Sequence, residues 1–287
     1  MLQEKRTLTD TRGLLVVGCP RSGTTLLQSL LACSPDVVTF RETRLFTSVL
    51  ALRKGFFIPS RSPANEAKRF LAENDLDASA PLPSGGHLFP TARAAWMLGV
   101  LDLAAEQRGG GVWLEKTPRH LLYVPLILRA AQKRGQRIDV VHLVRDGVST
   151  AASLVQASKL SAKTWRQAYS AEQALARWQR DLKISRDYIG QDGHHFACYE
   201  DLVDAPETAI LALAKRLDLS LNEEDLKQRQ EKATQVIRPD EKWKALNTGA
   251  IQKTSRTKEH LSAEQLAGLE KAIDRSDYEL IRKAAAS

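Results

Sequence analysis

The chain has 287 residues, of which 43% are hydrophobic, and a formal net charge of +8 at pH 7. This length is enough for one α/β domain with a full core, so we expect a single domain over residues 1–287. The sequence shows no apolar window long enough for a membrane span, no apolar signal core, and no disulfide or zinc spacing among its three cysteines. We therefore expect a cytoplasmic protein without a membrane partner, and the basic surplus favours an anionic ligand.

The first predicted elements are a strand, a glycine loop and a helix. Leu14–Val17 is an apolar, β-branched run typical of a buried strand, and leucines at helical spacing follow the loop. Such a loop points backbone N–H groups and a helix N-terminus at one spot, which predicts an anion site. The residues expected to hold the anion are Ser22, Gly23, Thr24 and Thr25.

This loop departs from the Walker A pattern, G-x-x-x-x-G-K-[ST], at the lysine. Two glycines keep the spacing and Thr25 fills the hydroxyl position, but Thr24 stands where the lysine should be, and the cation in the loop is Arg21. An ATPase needs that lysine and a metal beside its phosphates, so the loop favours a phosphosulfate or phosphate over Mg-ATP. Residues 20–25, Pro-Arg-Ser-Gly-Thr-Thr, resemble the 5′-phosphosulfate loop of sulfotransferases, which take a sulfuryl group from 3′-phosphoadenosine 5′-phosphosulfate (PAPS).

A carboxylate between two arginines follows the second predicted strand, Val37–Phe40. Positive charge on both sides keeps Glu42 ionised, which is the form a general base needs, and strand ends are where α/β sheets bind ligands. A solvated surface cluster is the alternative. The Glu-Thr-Arg of residues 42–44 resembles that of the tyrosylprotein sulfotransferases, and this resemblance implies that Glu42 is the base.

Residues 53–110 are predicted to form the substrate wall or a lid. Prolines and glycines interrupt the first part of this segment, which holds a predicted helix around Asn65–Ala72 and is long for a simple connection. A second predicted helix, Thr91–Glu106, closes the segment.

Lys116 follows the next predicted strand, Val112–Leu114. A lysine at a strand end can neutralise charge on a transferred group, although charge alone favours an exposed loop lysine. Sulfotransferases carry a lysine after the corresponding strand, so the resemblance implies a catalytic role. The cytosolic enzymes place a catalytic histidine two residues further on, where this chain has Pro118. The base must therefore lie elsewhere, at Glu42 or, as a fallback, at His120.

A second phosphate element is predicted after Ile138–Val144, a continuous apolar run typical of a strand buried on both faces. Arg145 ends this strand, and Ser153 follows eight residues later on a predicted helix. A phosphate fits between them, whereas the alternative is an arginine paired with Asp146. The arrangement resembles the 3′-phosphate motif of sulfotransferases, which implies that Arg145 and Ser153 bind that end of PAPS.

The last predicted strand, His194–Tyr199, ends in a Tyr-Glu-Asp-Leu tetrad. This tetrad resembles a sulfotransferase element whose tyrosine contacts the adenine, which implies that role for Tyr199; core packing is the alternative. Sulfotransferases also close the nucleotide site with a late basic loop, so one of Lys253, Arg256 and Lys258 is expected over the 3′-phosphate.

Strands that alternate with helices predict an α/β fold, namely a P-loop-like doubly wound sheet that is mainly parallel with helices on both faces. The resemblance implies sulfuryl transfer from PAPS to a hydroxyl of a small molecule, a sugar or a peptide tyrosine. In this reaction 3′,5′-ADP is the product, and fixed cations such as Arg21 and Lys116 take the place of a metal.

Two other functions stay open. A P-loop kinase would need a lysine at Thr24, and a polyanion- or nucleic-acid-binding module would need clustered basic and stacking aromatic residues, whereas aromatics are only 6% of the chain. We expect no nucleic-acid partner, and the residues decide neither the acceptor nor the oligomeric state.

Overall fold

The first strand lies at the centre of a five-stranded parallel sheet. The computed structural model describes residues 11–85, 88–160, 168–237, 249–251 and 257–286. In chain order its strands are β1 (Arg12–Gly18), β2 (Val37–Thr39), β3 (Leu50–Arg53), β4 (Phe56–Pro59), β5 (Val112–Lys116), β6 (Ile138–Val144) and β7 (His194–Cys198). The main sheet has the order β2-β5-β1-β6-β7, all pairs parallel, while β3 and β4 form a separate antiparallel hairpin.

Helices connect these strands. They are α1 (Thr24–Leu31), α2 (Leu45–Val49), α3 (Pro63–Glu73), α4 (Pro90–Gln107), α5 (Val124–Arg134), α6 (Gly147–Leu160), α7 (Ala171–Arg186), α8 (Tyr199–Asp204), α9 (Pro206–Arg216), α10 (Glu223–Leu226), α11 (Arg229–Val236), α12 (Thr257–His260), α13 (Ala263–Ala272) and α14 (Ser276–Ala286). A 3₁₀ turn, Pro118–Tyr123, precedes α5. Among the helices described, none has the length and apolar character needed to cross a bilayer.

Both faces of the sheet are covered, as predicted. Side chains alternate along β1, so Leu15 and Val17 enter the buried cluster that contains α4 and α5, and Leu14 and Val16 enter the one that contains α1 and α9. All four are at most 1% exposed. The predicted P-loop-like, doubly wound α/β fold is confirmed.

The strand order places the predicted site residues along one edge of the sheet. In a parallel sheet the carboxyl ends of neighbouring strands meet, and ligands bind there. The segment after β2 carries Glu42 and the last residue of β5 is Lys116, both on one side of the β1–α1 loop. Segments after β6 and β7 carry Arg145 and Tyr199 on the other side.

The hairpin β3–β4 was not predicted from the sequence. Its turn consists of Lys54 and Gly55 with φ values of 48° and 83°, which are the two positive φ angles of a type I′ turn. Such turns usually contain asparagine or aspartate before the glycine, so Lys-Gly gave no clear signal.

Two predicted helices have different boundaries. Apolar residues at steps of three and four predict a helix over residues 165–188. The observed helix α7 begins at Ala171, because Ser170 caps it: the Ser170 hydroxyl accepts the Gln173 N–H, and the Gln173 side chain accepts the Ser170 N–H. The beginning of that prediction, residues 165–167, lies outside the described residues. The polar stretch over residues 222–231 predicts a single helix, whereas the structure has two helices in this region, α10 and α11.

Candidate active site

A cavity of about 990 Å³ lies at the carboxyl ends of the main-sheet strands. This volume is in the range of small-molecule and cofactor pockets. The predicted site residues that line it are Arg21, Gly23, Thr24, Thr25, Glu42, Lys116, Arg145, Ser153 and Tyr199. The structure therefore brings together nine predicted site residues, whereas Ser22 and the fallback base His120 lie outside the lining.

Two glycines allow the β1–α1 loop to pack closely on its neighbours. Gly18 has a φ of 149°, and a Cβ there would lie 2.3 Å from the Leu143 carbonyl oxygen. Gly23 has a φ of 98°, and a Cβ there would lie 2.3 Å from Cδ2 of Tyr199. A larger residue at either position would push the loop away from β6 or from the Tyr199 ring.

Ser22 shapes the loop instead of lining the cavity. It is 1% exposed, and its hydroxyl and N–H both donate to the Cys19 carbonyl, at 2.7 and 3.2 Å. Thr24 and Thr25, in contrast, line the cavity as the first residues of α1. Gly23 supplies no side-chain cap, so the first N–H groups of α1 are available to an anion.

Arg21 joins the two predicted phosphate elements. Its Nε donates to the Ser153 hydroxyl at 3.1 Å, and Arg145 Nη1 donates to the Arg21 carbonyl at 3.4 Å. The φ of Arg21 is 76°, a left-handed conformation that costs a non-glycine residue on the order of 1 kcal/mol or more and that clusters at functional sites. The loop and the Arg145–Ser153 pair therefore lie on the same face and face the same cavity.

Arg145 also covers the ring of Tyr199. Its guanidinium carbon lies 4.1 Å from the ring centroid, a cation–π contact, and its carbonyl accepts the Trp178 indole N–H at 2.9 Å. Asp146 instead contacts Arg275, with 3.7 Å between Nη2 and Oδ2. In the described part of the chain Arg145 and Asp146 make no ion pair, which removes the alternative explanation of this arginine.

Glu42 is held between two cations. Lys116 Nζ donates to Glu42 Oε2 at 2.8 Å, and Arg44 Nε donates to Oε1 at 3.3 Å. The Lys116 side chain is 1% exposed and that of Glu42 is 15% exposed. Opposite charges at this distance favour the ionised carboxylate. Glu42 is thus a charged, partly accessible group at the cavity surface.

His120, the fallback base, is placed differently. It is fully buried, its Nδ1 lies 2.7 Å from Glu115 Oε2, and it is absent from the cavity lining. Burial raises the pKa of Glu115, but the imidazole of His120 and the hydroxyls of Thr117 and Thr43 outweigh burial and hold it below its usual value. Sequence analysis missed Glu115, and the available signal was a charged residue within a buried strand.

The histidines near β7 are packed together. His142 is a core residue that is fully buried, and both of its ring nitrogens have partners: Nδ1 lies 3.1 Å from the Ser185 hydroxyl and Nε2 lies 2.9 Å from His194 Nδ1. His194 is packed as well, because its ring stacks on Tyr188 at 4.2 Å, and burial lowers its pKa to about 4. Over the described ranges, no group of three or more His, Cys, Asp or Glu side chains is arranged to hold a metal.

Sequence analysis also missed most of the cavity wall. Arginines from four separate segments line it beside the predicted residues, and no motif joins them. They are Arg53, Arg61, Arg69, Arg119 and Arg177. Of the predicted substrate wall, the part around residues 53–69 lines the cavity, whereas α4 packs into the core. Lys253, Arg256 and the side chain of Lys258 lie outside the described residues.

The fold and the site define an α/β protein whose cavity, at the carboxyl ends of a parallel sheet, is lined by a glycine loop and by eight arginines. The chain belongs to the sulfotransferase family, because the family model described as "Sulfotransferase family" matches residues 13–223. Among curated proteins it is similar to the protein-tyrosine sulfotransferase of Drosophila melanogaster, with 25% identity over 216 residues. That match covers 73% of this chain but 38% of the fly protein, so the chain spans well under half of this relative's length.

Solved structures share the fold. The sulfotransferase domain from the curacin biosynthetic pathway superposes with a TM-score of 0.55 at 18% identity, over 96% of this chain and 97% of that domain. A mouse sulfotransferase solved in complex with PAP has a TM-score of 0.54 at 10% identity, over 97% of this chain and 90% of the mouse chain.

Proposed function

We propose that the protein transfers a sulfuryl group from PAPS to an acceptor hydroxyl. The observation that carries this proposal is the shared cavity: the Arg21 loop and the residues Arg145 and Ser153 adjoin in it, joined by two hydrogen bonds, and the Glu42–Lys116 pair lies in the same cavity. One donor with phosphate at both ends suits two adjoining anion sites. The mouse structure contains PAP, which is 3′,5′-ADP, the product that PAPS leaves after transfer. This supports PAPS as the donor.

The residues present fit PAPS. The uncapped start of α1, with Gly23, Thr24 and Thr25, would hold the 5′ end together with Arg21. Arg145 and Ser153 would hold the 3′-phosphate, and Tyr199 would contact the adenine. We assign Ser22 to the loop geometry, since its hydroxyl and N–H are already bonded to Cys19. When bound, PAPS supplies the sulfuryl group and an anionic leaving group.

Glu42 acts as the general base in this proposal. Its carboxylate takes the proton of the acceptor hydroxyl as the hydroxyl oxygen bonds to sulfur and the bond from sulfur to the 5′-phosphate oxygen breaks. Lys116 has three N–H donors and gives one to Glu42, so two are available for the oxygens of the transferred group. Arg21 and the threonines at the start of α1 offset the charge that builds on the leaving phosphate.

We propose an anionic acceptor. Nine cationic side chains, eight arginines and Lys116, line the cavity, and Glu42 is the single carboxylate among the described lining residues. Arg21 and Arg145 are assigned to the donor, which leaves six other arginines, and three of these lie on the hairpin, on α3 or between them: Arg53, Arg61 and Arg69. The similarity to a protein-tyrosine sulfotransferase favours a tyrosine hydroxyl, and acidic groups near that hydroxyl would match the arginines.

Charge reversal at the hairpin tests the acceptor. We expect Arg53→Glu to raise KM for an anionic acceptor by roughly two- to fivefold, since an exposed charge pair contributes about 0.2–1 kcal/mol. Lys54→Glu, the adjacent exposed cation outside the cavity lining, is the matched control and should leave KM unchanged. An equal rise in KM for neutral and anionic acceptors, measured with labelled PAPS, would contradict an anionic acceptor.

Ligand-induced stabilisation tests the donor. We expect 3′,5′-ADP to raise the unfolding temperature strongly, because a ligand at a hundred times its Kd adds about 2.7 kcal/mol, whereas Mg-ATP and 5′-AMP should have much smaller effects. A larger shift with Mg-ATP would favour the P-loop kinase, and no dependence on the 3′-phosphate would favour a general polyanion-binding module. Labelled PAPS with a panel of hydroxyl acceptors then detects transfer directly.

A further inference from the structure

A buried carboxylate connects the two segments that carry Glu42 and Lys116. The Thr43 hydroxyl donates to Glu115 Oε1 at 2.8 Å, and the Thr117 hydroxyl donates to the same oxygen at 2.6 Å. Thr43 follows Glu42 in the chain and Thr117 follows Lys116. A single carboxylate oxygen thus fixes the backbone next to both members of the ion pair.

Each threonine hydroxyl also accepts a backbone N–H from the segment between β2 and α2. Thr117 Oγ1 accepts the Arg44 N–H at 3.1 Å, and Thr43 Oγ1 accepts the Leu45 N–H at 3.2 Å. Arg44 has a φ of 55°, a strained conformation that persists only where surrounding contacts impose it. The network therefore holds this segment against β5 in the conformation that brings Glu42 to Lys116.

His120 fixes the other oxygen of Glu115. Its Nδ1 lies 2.7 Å from Oε2, and its ring packs edge-on against Phe46 at 5.0 Å between centroids. In the part of the chain that the structure describes, His120 Nε2 has no hydrogen-bond partner. Within the described residues, the hydrogen bond of the imidazole is therefore to Glu115 alone. The imidazole is packed in the apolar cluster, and this packing limits how far the Glu115 carboxylate can rotate.

The buried charges of this arrangement are costly to the folded state. Glu115 and His120 are both 0% exposed, and burying ionisable groups costs several kcal/mol that a pair of well-packed apolar residues would avoid. Trp113, two residues earlier on the same face of β5, is packed in an apolar cluster. A buried charge at this place points to a role in specifying geometry.

We propose that Glu115 is a positioning residue for the transfer step: through Thr43 and Thr117 it sets the distance between Glu42 and Lys116, and His120 orients its carboxylate. This inference rests on the proposed function. We expect loss of the network to lower kcat and to leave donor binding unchanged. The reason is that the nucleotide half of the cavity is formed by the loop after β1 and by the segments after β6 and β7.

Removing each threonine hydroxyl tests the inference with little change of volume. We expect Thr117→Val and Thr43→Val to lower kcat by about tenfold to a hundredfold, as loss of supporting hydrogen bonds does at other sites, with 3′,5′-ADP affinity within about twofold of wild type. Thr117→Ser and Thr43→Ser restore the hydroxyl and should restore kcat. Thr150→Val is the matched control, because Thr150 is fully buried and its hydroxyl has no partner within the described residues.

Wild-type kcat in both valine variants would overturn the inference, as would a loss of kcat matched by an equal loss of 3′,5′-ADP affinity. Crystal structures of Glu115→Gln and Thr117→Val add a measure that needs no activity. We expect the 2.8 Å contact between Lys116 Nζ and Glu42 Oε2 to break or lengthen, and an unchanged contact would also overturn the inference. If the wild-type chain transfers no sulfuryl group, the proposed function fails, and these distances still decide the positioning role.

Discussion

Glu42→Gln is expected to lower kcat by about 10²–10⁴-fold, the usual contribution of a general base. Glutamine has nearly the same shape, and its carbonyl oxygen still accepts a hydrogen bond from Lys116 or Arg44. It cannot take a proton, however, so the acceptor hydroxyl must react without a base. The effect should appear in kcat measured with labelled PAPS and saturating acceptor.

Nucleotide affinity separates loss of the base from loss of the site. The groups assigned to the donor follow β1, β6 and β7, whereas Glu42 follows β2. We therefore expect 3′,5′-ADP to stabilise Glu42→Gln as strongly as it stabilises the wild type. Glu73→Gln is the matched control: Glu73 pairs with Arg69 on α3, its side chain is 37% exposed, and its replacement should change kcat by less than about twofold. Turnover at the wild-type rate in Glu42→Gln would remove Glu42 from the role of base.

The sequence allowed the central sheet to be predicted because the strands there are short apolar runs buried on both faces. Ile138–Val144 was predicted with the boundaries that the structure shows, and Leu14–Val17 lies within the observed strand. The residues predicted for the site follow such strands directly, and the parallel sheet brings strand ends together wherever the strands lie in the chain. Glu42, Lys116, Arg145 and the loop could therefore be placed in one site without knowledge of the strand order.

Contacts between distant segments could not be predicted in this way. The hydrogen bond from Arg21 to Ser153 joins residues 132 positions apart, and the arginines of the cavity wall come from several segments without a common motif. The hairpin that contributes Arg53 depends on two positive φ angles at Lys54 and Gly55. Glu115 was missed because its role depends on hydroxyls from two loops, one of which lies 72 positions away in the chain.

Replacement of Lys116 tests whether this lysine contributes to catalysis, to stability or to both. Lys116→Met keeps a long unbranched side chain in a position that is 1% exposed, and removes the charge and the N–H donors. We expect kcat to fall by about 10²–10³-fold, the loss seen when one preorganised donor to developing negative charge is removed. Labelled PAPS gives the rate, and Lys133→Met, an exposed lysine on α5, is the control for the change of residue type.

Stability should not fall with activity in Lys116→Met. Burying an ammonium group carries a desolvation cost that a well-packed apolar side chain avoids, so replacing a buried ion pair is often neutral or stabilising. Glu42 would keep Arg44 as a partner at 3.3 Å and its partial access to solvent, so its charge would not be left buried alone. We therefore expect an unfolding temperature equal to or above that of the wild type.

An unfolding temperature several degrees lower would mean that the Lys116–Glu42 pair contributes to the fold, and a kcat within a few-fold of wild type would mean that the transferred group does not use this charge. The expected combination, a lost rate with unchanged stability, would show that the lysine is retained at this strand end for chemistry, because sites that stabilise a transition state commonly keep charges that the folded state alone would replace.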